Sequence, residues 1–137
     1  MLQLLIGKKG TGKTKVLISN VNDAAKSAAG NVVFISNNTS QNMYDITSKV
    51  RMTDTSEFDI DSWDEFLGFI CGIVSGNFDI TNIFIDGTLK IVKGSMDGFE
   101  DFLKKVENLG KKFDIDFELS VSIDADSAPE YIKQYVK

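Results

Sequence analysis

The chain has 137 residues, 42% of them apolar and 26% charged, with a net charge of −5, one cysteine and no histidine. This length suits one domain with its own core, and the composition is that of a folded chain rather than a disordered one. The acidic balance argues against a surface that grips nucleic acid throughout, because that grip comes from Lys and Arg neutralising phosphates.

The elements are predicted in chain order from hydrophobic spacing. MLQLLI reads as a short buried strand ended by Gly7. A helix follows from Thr11 or Gly12 to about Ala29, with Val16, Leu17, Val21, Ala24, Ala25 and Ala28 on its inner face. NVVFIS is a second strand, NNTSQN a polar loop, and KVRMT either a short extra strand or an irregular crossing. From Ser62 to Ser75 the apolar residues keep helical spacing, with Asp61 expected as N-cap and acids in the first turn, where they suit the dipole. Cys71 falls in this stretch and is expected to be buried.

TNIFID is a third strand, apolar until Asp86. Met96, Phe99, Phe102, Leu103, Val106 and Leu109 keep helical spacing, with Gly110 as the expected stop. DFELSVSI alternates, which predicts Ser120 and Ser122 on a face that meets water, as at a sheet edge. A last helix is expected from Ser127 to the end, with Pro129 and Glu130 behind its cap. Strands alternating with helices imply an α/β fold: a three-layer α/β/α domain around a mainly parallel sheet of four to five strands. Such sheets bind ligands at the carboxyl ends of their strands.

Behind the first strand stands GKKGTGKT, residues 7 to 14, in which Gly7, Gly12, Lys13 and Thr14 satisfy G-x-x-x-x-G-K-[ST]. Glycines let the backbone turn tightly so that several N–H groups converge on one anion. The helix that starts there adds the positive end of its dipole. Lys13 would reach the outer phosphates of a nucleotide, and the Thr14 hydroxyl would hold Mg²⁺. The binding loop is therefore expected to comprise Gly7, Lys8, Lys9, Gly10, Thr11, Gly12, Lys13, Thr14 and Lys15, with Lys8 and Lys9 adding positive potential. IFID, residues 83 to 86, ends an apolar strand in Asp86, a carboxylate suited to Mg²⁺ and its water.

With these two motifs the chain resembles a small P-loop NTPase. The form GKKGTGKT is closer to the RecA-like ATPase branch than to GTPases, and no N-K-x-D guanine-reading motif occurs. ATP with Mg²⁺ is the ligand this resemblance implies, with Lys13 and Asp86 in the reaction centre. Twitching-motility and secretion ATPases are similar around the loop, and so are thymidine kinases.

Departures from the pattern bound the activity. RecA-like ATPases commonly follow the Mg²⁺ aspartate with a water-polarising glutamate; here Gly87 follows, leaving Asp54 and Glu57 as substitute candidates. Arg51 is the one arginine, whereas phosphoryl transfer usually meets its developing charge with such a residue and kinases usually clamp their substrates with several. Without histidine, the histidine motif expected of twitching-motility ATPases is missing, and with the loop at residue 7 their N-terminal domain is not expected; with one cysteine, the zinc lobe of thymidine kinases is missing as well. The resemblance also offers Ser120 or Ser122 as a residue near the terminal phosphate. The expectation is an ATP- and Mg²⁺-binding protein with slow or partner-activated ATPase activity. The alternative is a nucleotide-dependent binding or regulatory module that does not hydrolyse, with a small-molecule or nucleoside kinase behind both. A protein partner or homo-oligomer is expected, at the face of Ser120 and Ser122 or at the aromatic helix around Trp63 and Phe66. No run is apolar enough to span a membrane, and MLQLLIG carries no charged leader, so a cytoplasmic protein is expected.

Overall fold

Alternate residues along the central strands are apolar on both sides, a pattern that only a sheet covered on both faces can bury. The computed structural model describes residues 1–136 and has that architecture. In chain order the elements are β1 (Leu2–Gly7), α1 (Lys13–Ser27), β2 (Asn31–Ser36), β3 (Arg51–Asp54), α2 (Trp63–Ser75) and β4 (Ile80–Ile85), followed by α3 (Thr88–Ile91), α4 (Phe99–Phe113), β5 (Asp116–Ser122) and α5 (Glu130–Lys133). The strands form one parallel five-stranded sheet in the order β1-β5-β4-β2-β3. KVRMT thus contributes an edge strand, and β5 lies inside the sheet rather than at its edge.

The two faces differ. Leu4, Val33, Ile35, Ile83, Ile85, Phe117, Leu119 and Val121 point to one face and pack with Phe66, Ile70 and Val74 of α2 and Phe99, Phe102, Leu103 and Val106 of α4. Trp63 stacks on Phe99 with ring centroids 4.7 Å apart, and Phe102 lies against both Trp63 and Phe66. Val32, Phe34 and Phe84 point the other way, towards Leu17 and Val21 of α1. Glu118 shares that second face and accepts a 2.6 Å hydrogen bond from the Asn20 side chain of α1.

Several local expectations change for identifiable reasons. Trp63 and Phe66 are core residues, 6% and 0% exposed, so this helix does not offer them to a partner. Cys71 is exposed, because the spacing of Trp63, Phe66, Ile70 and Val74 turns that side of α2 outward. Val16 is likewise exposed, and α1 buries Leu17 and Val21. Ser62, not Asp61, caps α2: its hydroxyl accepts from the Glu65 N–H, while Glu65 accepts from the Asp61 N–H, a reciprocal cap.

Gly110 does not stop α4, which continues to Phe113 and closes on Asp114 in the left-handed region. A Cβ at Gly110 would lie 2.7 Å from the Ile115 carbonyl oxygen and 3.3 Å from the Phe117 ring, so this glycine lets the helix approach β5. Ser127 ends a 3₁₀ turn, and α5 is a single turn. Beyond it the backbone extends: the Leu4 N–H donates to the Tyr135 carbonyl, and Val136 bridges Leu4 along the outer edge of β1. Among the described residues no helix is long and apolar enough to cross a membrane.

Candidate functional site

The segment between β1 and α1 turns through three glycines with positive φ: Gly7 at 156°, Gly10 at 86° and Gly12 at 91°. Gly12 sits at the N-cap position of α1 in the left-handed region, which an L side chain rarely adopts. A Cβ at Gly7 would stand 2.7 Å from the Thr11 hydroxyl oxygen, so side-chain crowding adds to its backbone requirement. The Lys8 carbonyl gathers the loop by accepting from the Thr11 N–H at 3.3 Å, the Thr11 hydroxyl at 2.8 Å and the Lys13 ammonium at 3.0 Å. Lys8 itself points away and pairs with Asp124.

The first motif meets the second across the sheet. The Thr14 hydroxyl donates to the Asp86 carboxylate, 3.2 Å from Oδ1 and 3.1 Å from Oδ2, although 72 positions separate them in sequence. Parallel register explains the meeting. Leu5 pairs with Ser120 and Ile85 with Leu119, so Asp86 emerges from β4 level with Ser120, two strands from the loop.

Ser120 joins the Thr14–Asp86 contact. It is 2% exposed; its hydroxyl donates to Asp86 Oδ1 at 2.6 Å and accepts from the Gly87 N–H at 2.9 Å. The expected water-facing strand is corrected here, because β5 lies between β1 and β4 and its polar face is covered by α1. Alternation in the sequence is the same for an edge strand and for a central strand with polar work on one side, so the two could not be separated there. Ser122, one pleat further, is exposed at the rim.

A cavity of about 340 Å³ opens at this end, lined by Lys9, Gly10, Gly12, Lys13, Thr14, Lys15, Asp86, Gly87, Lys90, Ser120 and Ser122. Asp86 is the one carboxylate in that lining, against four lysines. Burial pulls the Lys13 ammonium below the ordinary lysine pKa; Asp86 pushes it back up, and Lys90 adds like-charge repulsion that lowers it. Lys90 was not among the residues expected at the site. The only sequence signal for it is its place four residues after Asp86. A larger hollow, about 670 Å³, lies at the opposite ends of the strands, but its charged lining residues are Asp79 and Asp114, which would repel a phosphate.

Asp54 and Glu57 stand outside the cavity. Asp54 pairs with Ser36 on the far side of β2, two strands from Asp86, a lateral separation of about 10 Å. Its carboxylate accepts from the Ser56 N–H at 2.9 Å and from the Thr39 hydroxyl at 3.2 Å, and these bonds hold its pKa below the ordinary value. Glu57 is exposed in the following 3₁₀ turn, and Arg51 is exposed near the start of the edge strand. Gly87 adopts φ 62° and begins α3.

Among the described residues no group of three or more His, Cys, Asp or Glu could hold a metal alone. The donors Thr14 and Asp86 are both oxygen ligands, the set Mg²⁺ takes when phosphate and water complete its shell. The residues present therefore fit a magnesium nucleotide.

No protein-family model matches the sequence, and the comparison with curated proteins returns no match. Among solved structures, a KaiC-like protein from the hyperthermophilic archaeon Pyrococcus horikoshii OT3 matches with a TM-score of 0.65 at 15% identity, over 98% of this chain and 66% of that one. The fold is that of P-loop NTPases. This chain spans about two thirds of the length of that neighbour, and the likeness concerns architecture.

Proposed function

We propose that this chain binds ATP with Mg²⁺ at the Gly7–Lys15 loop and hydrolyses it slowly, or at an appreciable rate only when a partner completes the site. The observation that carries this reading is the contact of the Thr14 hydroxyl with both Asp86 oxygens beside Lys13, at the mouth of a lysine-lined cavity. In the proposed complex, loop amides and the α1 N-terminus receive the phosphate chain, and Lys13 exchanges the Lys8 carbonyl for a phosphate oxygen. Thr14 and Asp86 hold Mg²⁺, and Ser120 fixes the Asp86 carboxylate while satisfying the Gly87 N–H. Bound magnesium would neutralise phosphate charge.

Slow turnover follows from what the lining contains. Its single carboxylate is committed to the metal, and Gly87 stands where a water-polarising side chain is common. The same observation supports the second reading, a module that changes state with nucleotide and does not hydrolyse. A kinase gains little support, since Arg51 lies apart from the cavity.

Thermal unfolding with and without Mg-ATP, combined with a phosphate-release assay, tests both readings. Ligand at one hundred times its dissociation constant adds about 2.7 kcal/mol of stability. Lys13→Ala is expected to lose most of that shift. Phosphate release that vanishes in Lys13→Ala supports the ATPase, and a shift without release selects the module. No shift with millimolar Mg-ATP overturns the proposal.

A further inference from the structure

The cavity has two walls, and the loop motif accounts for one. Lys9, Lys13 and Lys15 come from the loop and the first turn of α1. The other wall is the end of β4 and the start of α3: Asp86, Gly87 and Lys90. We propose that Lys90 is the cation that recognises the terminal phosphate of the bound nucleotide and so makes the site prefer a triphosphate to a diphosphate. This inference rests on the nucleotide-binding reading above.

Three observations lead to it. The stem of Lys90 lies over Gly87: a Cβ built at Gly87 would stand 3.6 Å from Lys90 Cδ and 3.9 Å from its Cβ. The side chain thereby lies against Gly87, the residue after Asp86, which with Thr14 would hold the metal. Next, Lys90 is the one lining cation that does not belong to the loop segment; it comes from the wall formed by the end of β4 and the start of α3.

The third observation concerns partners. Lys8, Lys93, Lys104, Lys105 and Lys133 each form an ion pair with an Asp or Glu. Among the described residues, none of the four cavity lysines has a carboxylate within 4.0 Å of its ammonium; the same holds for Lys26, Lys49, Lys111 and Lys112 outside it, and what sets the cavity apart is four lysines around one carboxylate. In a chain with 20 acidic and 15 basic residues, carboxylates are not scarce. The concentration of positive charge around Asp86 therefore suits a ligand with more negative charge than one carboxylate supplies. An ammonium on a flexible stem meets a phosphoryl oxygen as a point charge, the role that a planar guanidinium fills elsewhere. Arg51, the chain's one arginine, is not in the lining.

Calorimetric titration of the full chain with Mg-ADP and with a non-hydrolysable Mg-ATP analogue tests this, using wild type, Lys90→Gln and Lys90→Arg. Wild type is expected to favour the triphosphate by about tenfold or more, the discrimination of one well-placed charged contact. Lys90→Gln should narrow that preference to about twofold with Mg-ADP affinity nearly unchanged, and Lys90→Arg should keep most of it. Lys90 is exposed and forms no ion pair, so both variants should fold; matching circular dichroism and melting curves check this. If Lys90→Gln retains the preference, or weakens both nucleotides equally, the proposal is overturned while the binding site stands. Equal affinity of wild type for the two nucleotides also overturns it. Wild type that binds neither removes the nucleotide-binding reading itself, and this inference with it.

Discussion

The two faces of the sheet divide the labour of the molecule. Under α2 and α4 the central strands present mainly apolar side chains, and the helices answer with four stacked or tilted aromatic rings. Under α1 the same strands present Glu118 and Ser120 among Val32, Phe34 and Phe84, and these polar groups are hydrogen-bonded into place. One face supplies burial, which stabilises at about 25 cal/mol per Å² of apolar surface. The other spends part of its area on polar groups whose bonds must all be made, because a buried polar group left without a partner costs about 1–3 kcal/mol. What the comparison teaches is that the helix following the glycine loop packs on the costlier face, where geometry near Asp86 matters more than area.

The largest expected effect comes from the apolar face. Phe102 is 2% exposed and touches Trp63, Phe66 and Phe99, so Phe102→Ala should cost about 3–5 kcal/mol in denaturant unfolding. The fraction that remains folded should bind nucleotide unchanged; a lost affinity there would break the division between the faces.

On the α1 face, Ser120→Ala should cost about 1–3 kcal/mol, because it strips a donor from Asp86 and an acceptor from the Gly87 N–H. Here stability and site should fall together. The readout that separates positioning from simple packing is the Mg²⁺ dependence of nucleotide binding, which should shift to higher magnesium in Ser120→Ala and recover in Ser120→Thr. An unmoved magnesium dependence would reduce Ser120 to a structural residue.

The smallest effect lies at the sheet edge. The Asp54 carboxylate has a folded-state pKa below its ordinary value of 3.8, chiefly through its bonds to Ser56. A depressed folded pKa means that the contribution is present above pH 3.8 and is lost as pH falls through the lower, folded-state value. Asp54→Asn should therefore flatten part of the acid limb of the stability curve below that pH and leave neutral-pH nucleotide binding untouched. Loss of turnover in this variant would return Asp54 to the reaction, against its placement two strands from Asp86.

The glycine loop was legible in the sequence because its geometry is local. Three glycines with positive φ within six consecutive residues specify its turn almost by themselves, and the strand before it and helix after it follow from spacing. The α/β class was legible for the same reason: apolar periods of two and of 3.6 alternate along the chain. The sequence also marked Asp86 as the end of an apolar strand.

Tertiary structure alone decided where these pieces meet. A glycine after apolar helical spacing has the same signature whether it ends a helix or, like Gly110, lets the helix lie against a carbonyl and an aromatic ring. Ser120 alternates with apolar residues whether its strand is at the edge or in the middle, and only the order β1-β5-β4 brings it to Asp86. Lys90 has no signal beyond its place four residues after Asp86; its nearness to Lys13 arises from the carboxyl end of β4 reaching the same edge of the sheet as the loop. Short-range spacing fixes backbone conformation, whereas a shared site requires strand order and register, which depend on contacts far apart in the chain.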